Sequence, residues 1–324
     1  YRDGHLQIIA SAGSGKTTTI SRRCAELVRG GIKPEQIIAF TFTEKAAAVL
    51  RSRIEQNISE LIGREFLDKL GGMYIGTIHA FCLQFLQKNV PQYGNFDALD
   101  EHRLVAFVSR HFSDLELAEL GDFSQWALIR IFLDNVSVVE NELLDPDSLP
   151  NNRFKRSYNL LCQLLREHRL LTFDQMITLT VAELRKNPSL TKGLEHVIVD
   201  EYQDINPAQE ELIKLLSTAP AKLTVVGDDL QSIYQWRGST VQNILTFSNR
   251  YNSVKQETLS TNRRSRPGII RVAEKFAETI QPRLPKQMKP HRKSRGPEVV
   301  SCAAQTPEVE AEVIARTVES LVQN

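Results

Sequence analysis

Short apolar runs alternate with amphipathic stretches along most of the chain. Leu6-Gln7-Ile8-Ile9 precedes a helix-compatible stretch from Thr18 to Arg29. Ile37-Ile38-Ala39-Phe40-Thr41 follows the turn residues Gly30, Gly31 and Pro34, and leads into helix-forming residues from Glu44 to Ile54. Met73 to Thr77 predicts a third strand, running into a helix from Ile78 to Leu86. Apolar strands alternating with helices indicate parallel strands buried on both faces. The pattern therefore predicts an α/β fold whose parallel sheet carries helices on both sides. From about Pro91 to Leu184 helical periodicity takes over (Leu99, Leu104 and Val108, then Leu160, Leu161, Leu164 and Leu165), which reads as a helical insertion outside the sheet. Strand signals return at Val197-Ile198-Val199 and Leu223-Thr224-Val225-Val226, with a sixth strand from Lys255 to Leu259 and a helix from Arg266 to Thr279. A linker rich in proline and basic residues follows, then a strand at Glu298 to Ser301 and a helix at Pro307 to Leu321. The expected division is a sheet domain from 1–92 and 186–280, an inserted helical subdomain from 93–185, and from 281–324 a basic linker with the start of a second, truncated domain.

A length of 324 residues accommodates about two or three domains. Hydrophobic content of 41% and charged content of 24% are ordinary for a globular protein, so composition excludes disordered and fibrous classes. The net charge is +1, so any nucleic-acid surface must be local. Cys24, Cys82, Cys162 and Cys302 are far apart and show no metal-ligand spacing, which fits a reducing, cytoplasmic setting. No apolar run approaches the roughly 18 residues of a membrane span, and no signal peptide precedes the first strand. Only Tyr1 to His5 lie before that strand, as expected of a trimmed N-terminus.

Chemistry concentrates where strands end. Ala10-Ser11-Ala12-Gly13-Ser14-Gly15-Lys16-Thr17 sits between the first strand and the first helix. Such a turn closes backbone N–H groups around phosphate oxygens at a helix N-terminus. Gly13 and Gly15 permit backbone that a side chain would block. Lys16 would reach the β- and γ-phosphates and the Thr17 hydroxyl would sit on Mg²⁺, although Ala10 replaces the first glycine of the usual pattern. Asp200 and Glu201 end the Val197–Val199 run, where one carboxylate would hold Mg²⁺ and the other take the proton of an attacking water. They also suit solvated acids before a helix that Asn206-Pro207 would start. After Val226 comes Gly227-Asp228-Asp229-Leu230-Gln231-Ser232-Ile233-Tyr234-Gln235-Trp236-Arg237-Gly238, whose aromatics suit base stacking, worth about 1–3 kcal/mol per base.

Six motifs occur in order: Ala10–Thr17; Thr41-Phe42-Thr43-Glu44-Lys45-Ala46-Ala47-Ala48; Gly76-Thr77-Ile78-His79; Asp200-Glu201-Tyr202-Gln203-Asp204; Val226–Gly238; and Asn262-Arg263-Arg264-Ser265. From about Leu6 to Ser265 the chain resembles the UvrD/Rep/PcrA family of superfamily 1 DNA helicases, and the helical insertion, with Leu171-Thr172-Phe173-Asp174 near its end, resembles that family's inserted subdomain. The resemblance implies a RecA-like P-loop NTPase fold and an ATP-dependent DNA translocase or helicase, of 3′ to 5′ direction, acting in repair, replication or recombination. ATP and Mg²⁺ are the implied cofactors. Single-stranded DNA, or duplex with a single-stranded tail, is the implied partner, with repair or recombination proteins. Ser11, Ala12, Gly13, Ser14, Gly15, Lys16, Thr17, Thr18 and Arg263 would bind nucleotide, and Thr17 and Asp200 the metal. Glu201 would be the general base, Gln231 the sensor of the γ-phosphate, and Arg264 a γ-phosphate contact. Phe42, Thr77, His79, Tyr234, Trp236 and Arg237 would contact DNA.

Some positions depart from the family pattern. Arg263 stands where a tyrosine usually stacks on adenine, and Thr18 where an arginine is frequent. No upstream glutamine motif is present, since Gln7 lies inside the strand. Nothing after Ser265 matches the later motifs, so the chain is expected to hold half of the ATPase site and to turn ATP over poorly by itself. The rival expectation is a nucleotide-gated DNA-binding subunit of a larger repair or defence complex. The stretch Arg283 to Arg295, with six Lys or Arg and no acid, suits either DNA phosphates or a solvated linker.

Overall fold

A computed structural model describes residues 1, 3–150, 152–218, 220–234, 238–294, 296 and 298–323. The chain runs β1 (His5–Ala10), α1 (Lys16–Arg29), β2 (Ile37–Thr41), α2 (Glu44–Leu61), β3 (Tyr74–Thr77) and α3 (Ile78–Asn89). It continues through β4 (Asp97–Leu99), α4 (Glu101–Arg110), α5 (Gln125–Asn141), α6 (Asn152–Glu167), β5 (Leu170–Thr172) and α7 (Phe173–Lys186). Next come β6 (His196–Val199), α8 (Pro207–Leu216), β7 (Lys222–Gly227), α9 (Gln242–Leu245), α10 (Phe247–Arg250) and β8 (Val254–Leu259). The last elements are β9 (Thr261–Asn262), α11 (Pro267–Ala277), β10 (Lys289–Pro290) and α12 (Pro307–Gln323).

Among the described residues six strands form one parallel sheet in the order β3-β2-β6-β7-β1-β8. Alternate side chains of each strand enter two different cores, as the two-residue period of a pleated strand requires. Ile38, Phe40, Val197, Val199, Leu223 and Val225 face α3, α7 and α8. Ile37, Ala39, Ile198, Val226, Leu6 and Ile8 face α1 and α2. Both faces are thus covered, which is why these strands read as unbroken apolar runs. β8 is an edge strand and exposes Lys255, Gln256 and Glu257, charges and an amide that discourage further pairing. The Gln7 side chain is fully buried: its amide donates to Ile244 O at 2.6 Å and its oxygen accepts from Gln256 Nε2 at 2.7 Å.

Helix starts follow local capping chemistry. Thr43 Oγ1 accepts from Ala46 N at 3.1 Å at the head of α2, and Asn206 and Gln209 form a reciprocal capping box at the head of α8. A buried carboxylate ties α8 to α10: Glu210 accepts from Arg250 Nη1 at 2.7 Å, from Tyr251 OH at 3.0 Å and from Tyr202 OH.

The stretch between α3 and β6 has its own core of Leu99, Val108, Phe132, Val136, Leu161 and Leu165 among others. It is mostly helical, with one correction. Leu99 lies not on a helix face but in β4, which pairs in parallel with β5. A second correction concerns Glu298 to Ser301, where no strand forms among the described residues. Glu140, at the end of α5, is buried and accepts from Tyr158 OH at 3.3 Å and Thr172 Oγ1 at 3.5 Å, with no ion pair among the described residues. Burial, then the nearby Asp174 carboxylate, pushes its pKa up to about 8. Among the described residues no helix is long and apolar enough to cross a membrane.

Candidate nucleotide and nucleic-acid sites

The carboxyl ends of parallel strands are where such sheets expose loops, and here they gather nearly every residue singled out above. After β1 the chain turns through Gly13 (φ 68°) and Gly15 (φ 99°), both in the left-handed region, and enters α1 at Lys16. A Cβ on Gly13 would lie 2.6 Å from Arg264 Cβ and 2.9 Å from Asn262 Oδ1, so the absence of a side chain lets the Asn262–Ser265 turn pack on the loop. A Cβ on Gly15 would meet nothing within 4 Å, which leaves room beside the α1 N-terminus. Ser11 Oγ and Ser14 Oγ are buried without a hydrogen-bond partner. Orphaned buried hydroxyls cost about 1–3 kcal/mol each, so these two fit an acceptor from outside the protein. Thr17 sits in the first turn of α1, half-buried, and Thr18 is exposed and accepts from Arg53 Nη1 at 3.1 Å.

Facing this loop, β6 ends in Asp200 and Glu201. Lys16 Nζ donates to Glu201 Oε2 at 2.7 Å, and Glu201 holds left-handed backbone (φ 51°), a strained conformation for a non-glycine residue. Burial, then the Glu201 charge, pushes the Asp200 pKa up to about 7 against the opposing pull of Lys16. Burial and Glu201 likewise raise Asp204 to about 6. Three carboxylates thus share one nearby ammonium. Carboxylate oxygens are the hard donors that a divalent cation prefers. Among the described residues no three His, Cys, Asp or Glu could hold a metal by themselves, so such an ion would draw further oxygens from a bound phosphate.

A chain of hydrogen bonds leads away from Lys16. Glu201 Oε2 also accepts from Gln203 Nε2 at 2.9 Å, Gln203 Oε1 accepts from Asp228 N at 2.9 Å, and Asp228 Oδ2 accepts from Gln231 Nε2. Gln203 was part of a quoted motif but had no role read from sequence. The Asn262 side chain holds its turn by accepting from Arg264 N at 2.9 Å and Ser265 N at 2.8 Å, while Arg263 N donates to Gly13 O at 2.9 Å. Arg263 and Arg264 are exposed beside the loop. Arg263 approaches Ser14 O at 3.5 Å, and Arg264 has no side-chain hydrogen bond or ion pair among the described residues.

At the other half of the sheet, Phe42 follows β2 and Tyr234 follows β7. Their rings stack with centroids 5.0 Å apart and 28° between planes. His79, at the start of α3, packs 5.3 Å from Phe173, an exposed ring that opens α7 and that sequence reasoning quoted only as part of the insertion. Burial lowers the His79 pKa to about 4, so the ring is neutral and offers a hydrogen bond or a stacking face. Thr77 caps α3 and donates to Glu44 Oε1 at 2.8 Å. Trp236 and Arg237 lie outside the described residues.

The UvrD/REP helicase N-terminal domain family model matches residues 1–252. The chain is 31% identical to the ATP-dependent DNA helicase PcrA of Leuconostoc citreum over 98% of this chain and 43% of that protein. It is 32% identical to the ATP-dependent DNA helicase Rep of Escherichia coli K12 over 83% of this chain and 40% of that protein. It is also 32% identical to the ATP-dependent DNA helicase UvrD1 of Mycobacterium tuberculosis over 98% of this chain and 43% of that protein. The chain therefore spans less than half the length of these relatives. With this match, the parallel sheet and its loops belong to a member of the UvrD/REP helicase family, whose N-terminal domain corresponds to residues 1–252 of the chain.

Proposed function

We propose that this chain is the nucleotide-binding half of an ATP-driven motor that moves along single-stranded DNA and unwinds duplex DNA ahead of it. The observation that carries the reading is the hydrogen-bond chain Lys16–Glu201–Gln203–Asp228–Gln231, which links the loop after β1 to the segment bearing Tyr234. A simple phosphate-binding enzyme has no need of that link. A motor does.

In this reading the backbone of Ser11 to Gly15 cradles the phosphates and the orphaned Ser11 and Ser14 hydroxyls find their acceptors. Lys16 leaves Glu201 for the β- and γ-phosphates, freeing the Glu201 carboxylate to act as general base toward water. Thr17 and Asp200 would hold Mg²⁺, and the ion would supply charge neutralisation at the phosphates. Gln231 senses the γ-phosphate, Arg264 contacts it, and Arg263 and Thr18 flank the nucleotide. Phe42 and Tyr234 grip bases by stacking, and Thr77, His79, Trp236 and Arg237 are the further DNA contacts that the resemblance implies. The resemblance gives a 3′ to 5′ direction and a role in repair, replication or recombination.

The test is strand displacement by the full-length protein on duplexes carrying a 3′ or a 5′ single-stranded tail. ATP-dependent unwinding of the 3′-tailed substrate is the expected result. Unwinding from the 5′ tail alone would overturn the direction, and none from either, with DNA still bound, would favour a nucleotide-gated binding subunit.

A further inference from the structure

The segment after α11 is anchored, and its anchor is a buried lysine. Lys286 lies in the basic stretch that suited either DNA phosphates or a solvated linker, yet its side chain is only 3% exposed. Its ammonium pairs with both Asp228 and Asp229, whose side chains are 4% and 1% exposed. Leu284 N donates to Asp229 Oδ2 at 2.9 Å, two residues upstream. Downstream, Met288 N donates to Glu274 Oε1 at 2.8 Å, Lys289 N donates to Ser260 O at 2.8 Å, and β10 pairs with β9. β9 ends in Asn262, which packs beside Gly13. One short segment therefore touches both the acidic turn after β7 and the turn that lies on the phosphate loop.

Asp228 is the pivot of this arrangement. Its Oδ1 accepts from Lys286 Nζ and from Leu230 N, its Oδ2 accepts from Gln231 Nε2, and its backbone N–H donates to Gln203. A movement of Gln231 that drags Asp228 alters the bond to Lys286, and a displacement of Lys286 frees one oxygen of the carboxylate that holds Gln231. Buried ions are tolerated only where the geometry is tight and the remaining hydrogen bonds are met, so such a cluster favours discrete arrangements over gradual drift.

We propose that Lys286 is a positioning residue that holds Asp228, and through it Gln231, and that it couples the segment after α11 to the nucleotide site. The inference deepens the motor reading and rests on it. Lys286 makes no contact with either ligand in this scheme, so its loss uncouples the two sites without removing a group from either.

The experiment measures ATP hydrolysis by the full-length protein with and without single-stranded DNA for wild type, Lys286→Met and Lys286→Arg. Lys286→Met is expected to keep the DNA-free rate within about twofold and the KM for ATP unchanged, while DNA-stimulated kcat falls about tenfold. Lys286→Arg, whose fork can span both carboxylates, is expected to recover most of the stimulation. Where Lys286→Met is insoluble, Lys286→Gln, which keeps a donor, replaces it. Wild-type stimulation in the neutral variant overturns the inference, as does an equal fall of the basal and stimulated rates in every variant. Absence of stimulation in the wild type overturns the motor reading itself, which separates the two failures.

Discussion

Glu140 offers a sharp test of how the helical stretch is held together. The carboxyl is buried where α5, α6 and β5 meet, hydrogen-bonded by Tyr158 and Thr172, and carries no ion pair among the described residues. Its pKa is pushed from 4.5 to about 8, first by burial and then by Asp174. Between those values the folded chain keeps a proton that the unfolded chain has released, so stability falls as pH rises through the window. From pH 5 to pH 8 the loss attributable to this one group is about 3 kcal/mol. Glu140→Gln keeps the shape and removes the ionisation. At pH 5 the variant should lie within about 1 kcal/mol of the wild type, because a protonated carboxyl and an amide differ there by little more than one hydrogen bond. At pH 8 it should be the more stable protein by about 3 kcal/mol. Urea unfolding followed by circular dichroism at the two pH values measures this. Asp200, raised to about 7, and Asp204, raised to about 6, titrate in the same range, but they do so in both proteins and cancel in the difference. A wild-type–variant difference that is the same at both pH values would refute the reasoning.

Other outcomes follow from the same geometry. Arg250→Met leaves the buried Glu210 carboxylate with two tyrosine hydroxyls and no cation, and should lower unfolding free energy by about 3 kcal/mol, read from the urea midpoint. Phe42→Ala and Tyr234→Ala should each weaken single-stranded DNA binding by about 1–3 kcal/mol in fluorescence anisotropy, and the double variant should lose less than the sum because the two rings touch. Gly13→Ala forces a Cβ into the Asn262–Ser265 turn at a positive φ, and a fluorescent-nucleotide titration should show affinity reduced about tenfold.

What could be read from sequence was written locally. The strands of the main sheet stand out because both of their faces are buried, and the loop after β1 because Gly13 and Gly15 take positive φ just before Lys16. The cap at Asn206-Pro207 was legible for the same reason, since its partner Gln209 is three residues away. What escaped depended on distant partners. β4 and β5 are three residues each, too short to show a two-residue period, and Leu99 becomes a strand residue only because Leu170–Thr172 lies beside it. Glu298 to Ser301 has the composition of a strand and forms none, because a strand needs a neighbour to bond to. Lys286 looked like one more cation in a basic run, and nothing within that run reveals that Asp228 and Asp229 bury it. Phe173 was legible only as part of the inserted stretch, and its exposure beside His79 was not.

The central claim is that hydrolysis at the loop after β1 is coupled to DNA on the aromatic surface after β2 and β7. Steady-state ATP hydrolysis by the full-length protein, with and without single-stranded DNA and beside Glu201→Gln, tests it most directly. Stimulation by DNA in the wild type and its loss in the variant, with nucleotide still bound, is the expected result. A rate indifferent to DNA, or one that survives Glu201→Gln, would contradict the account.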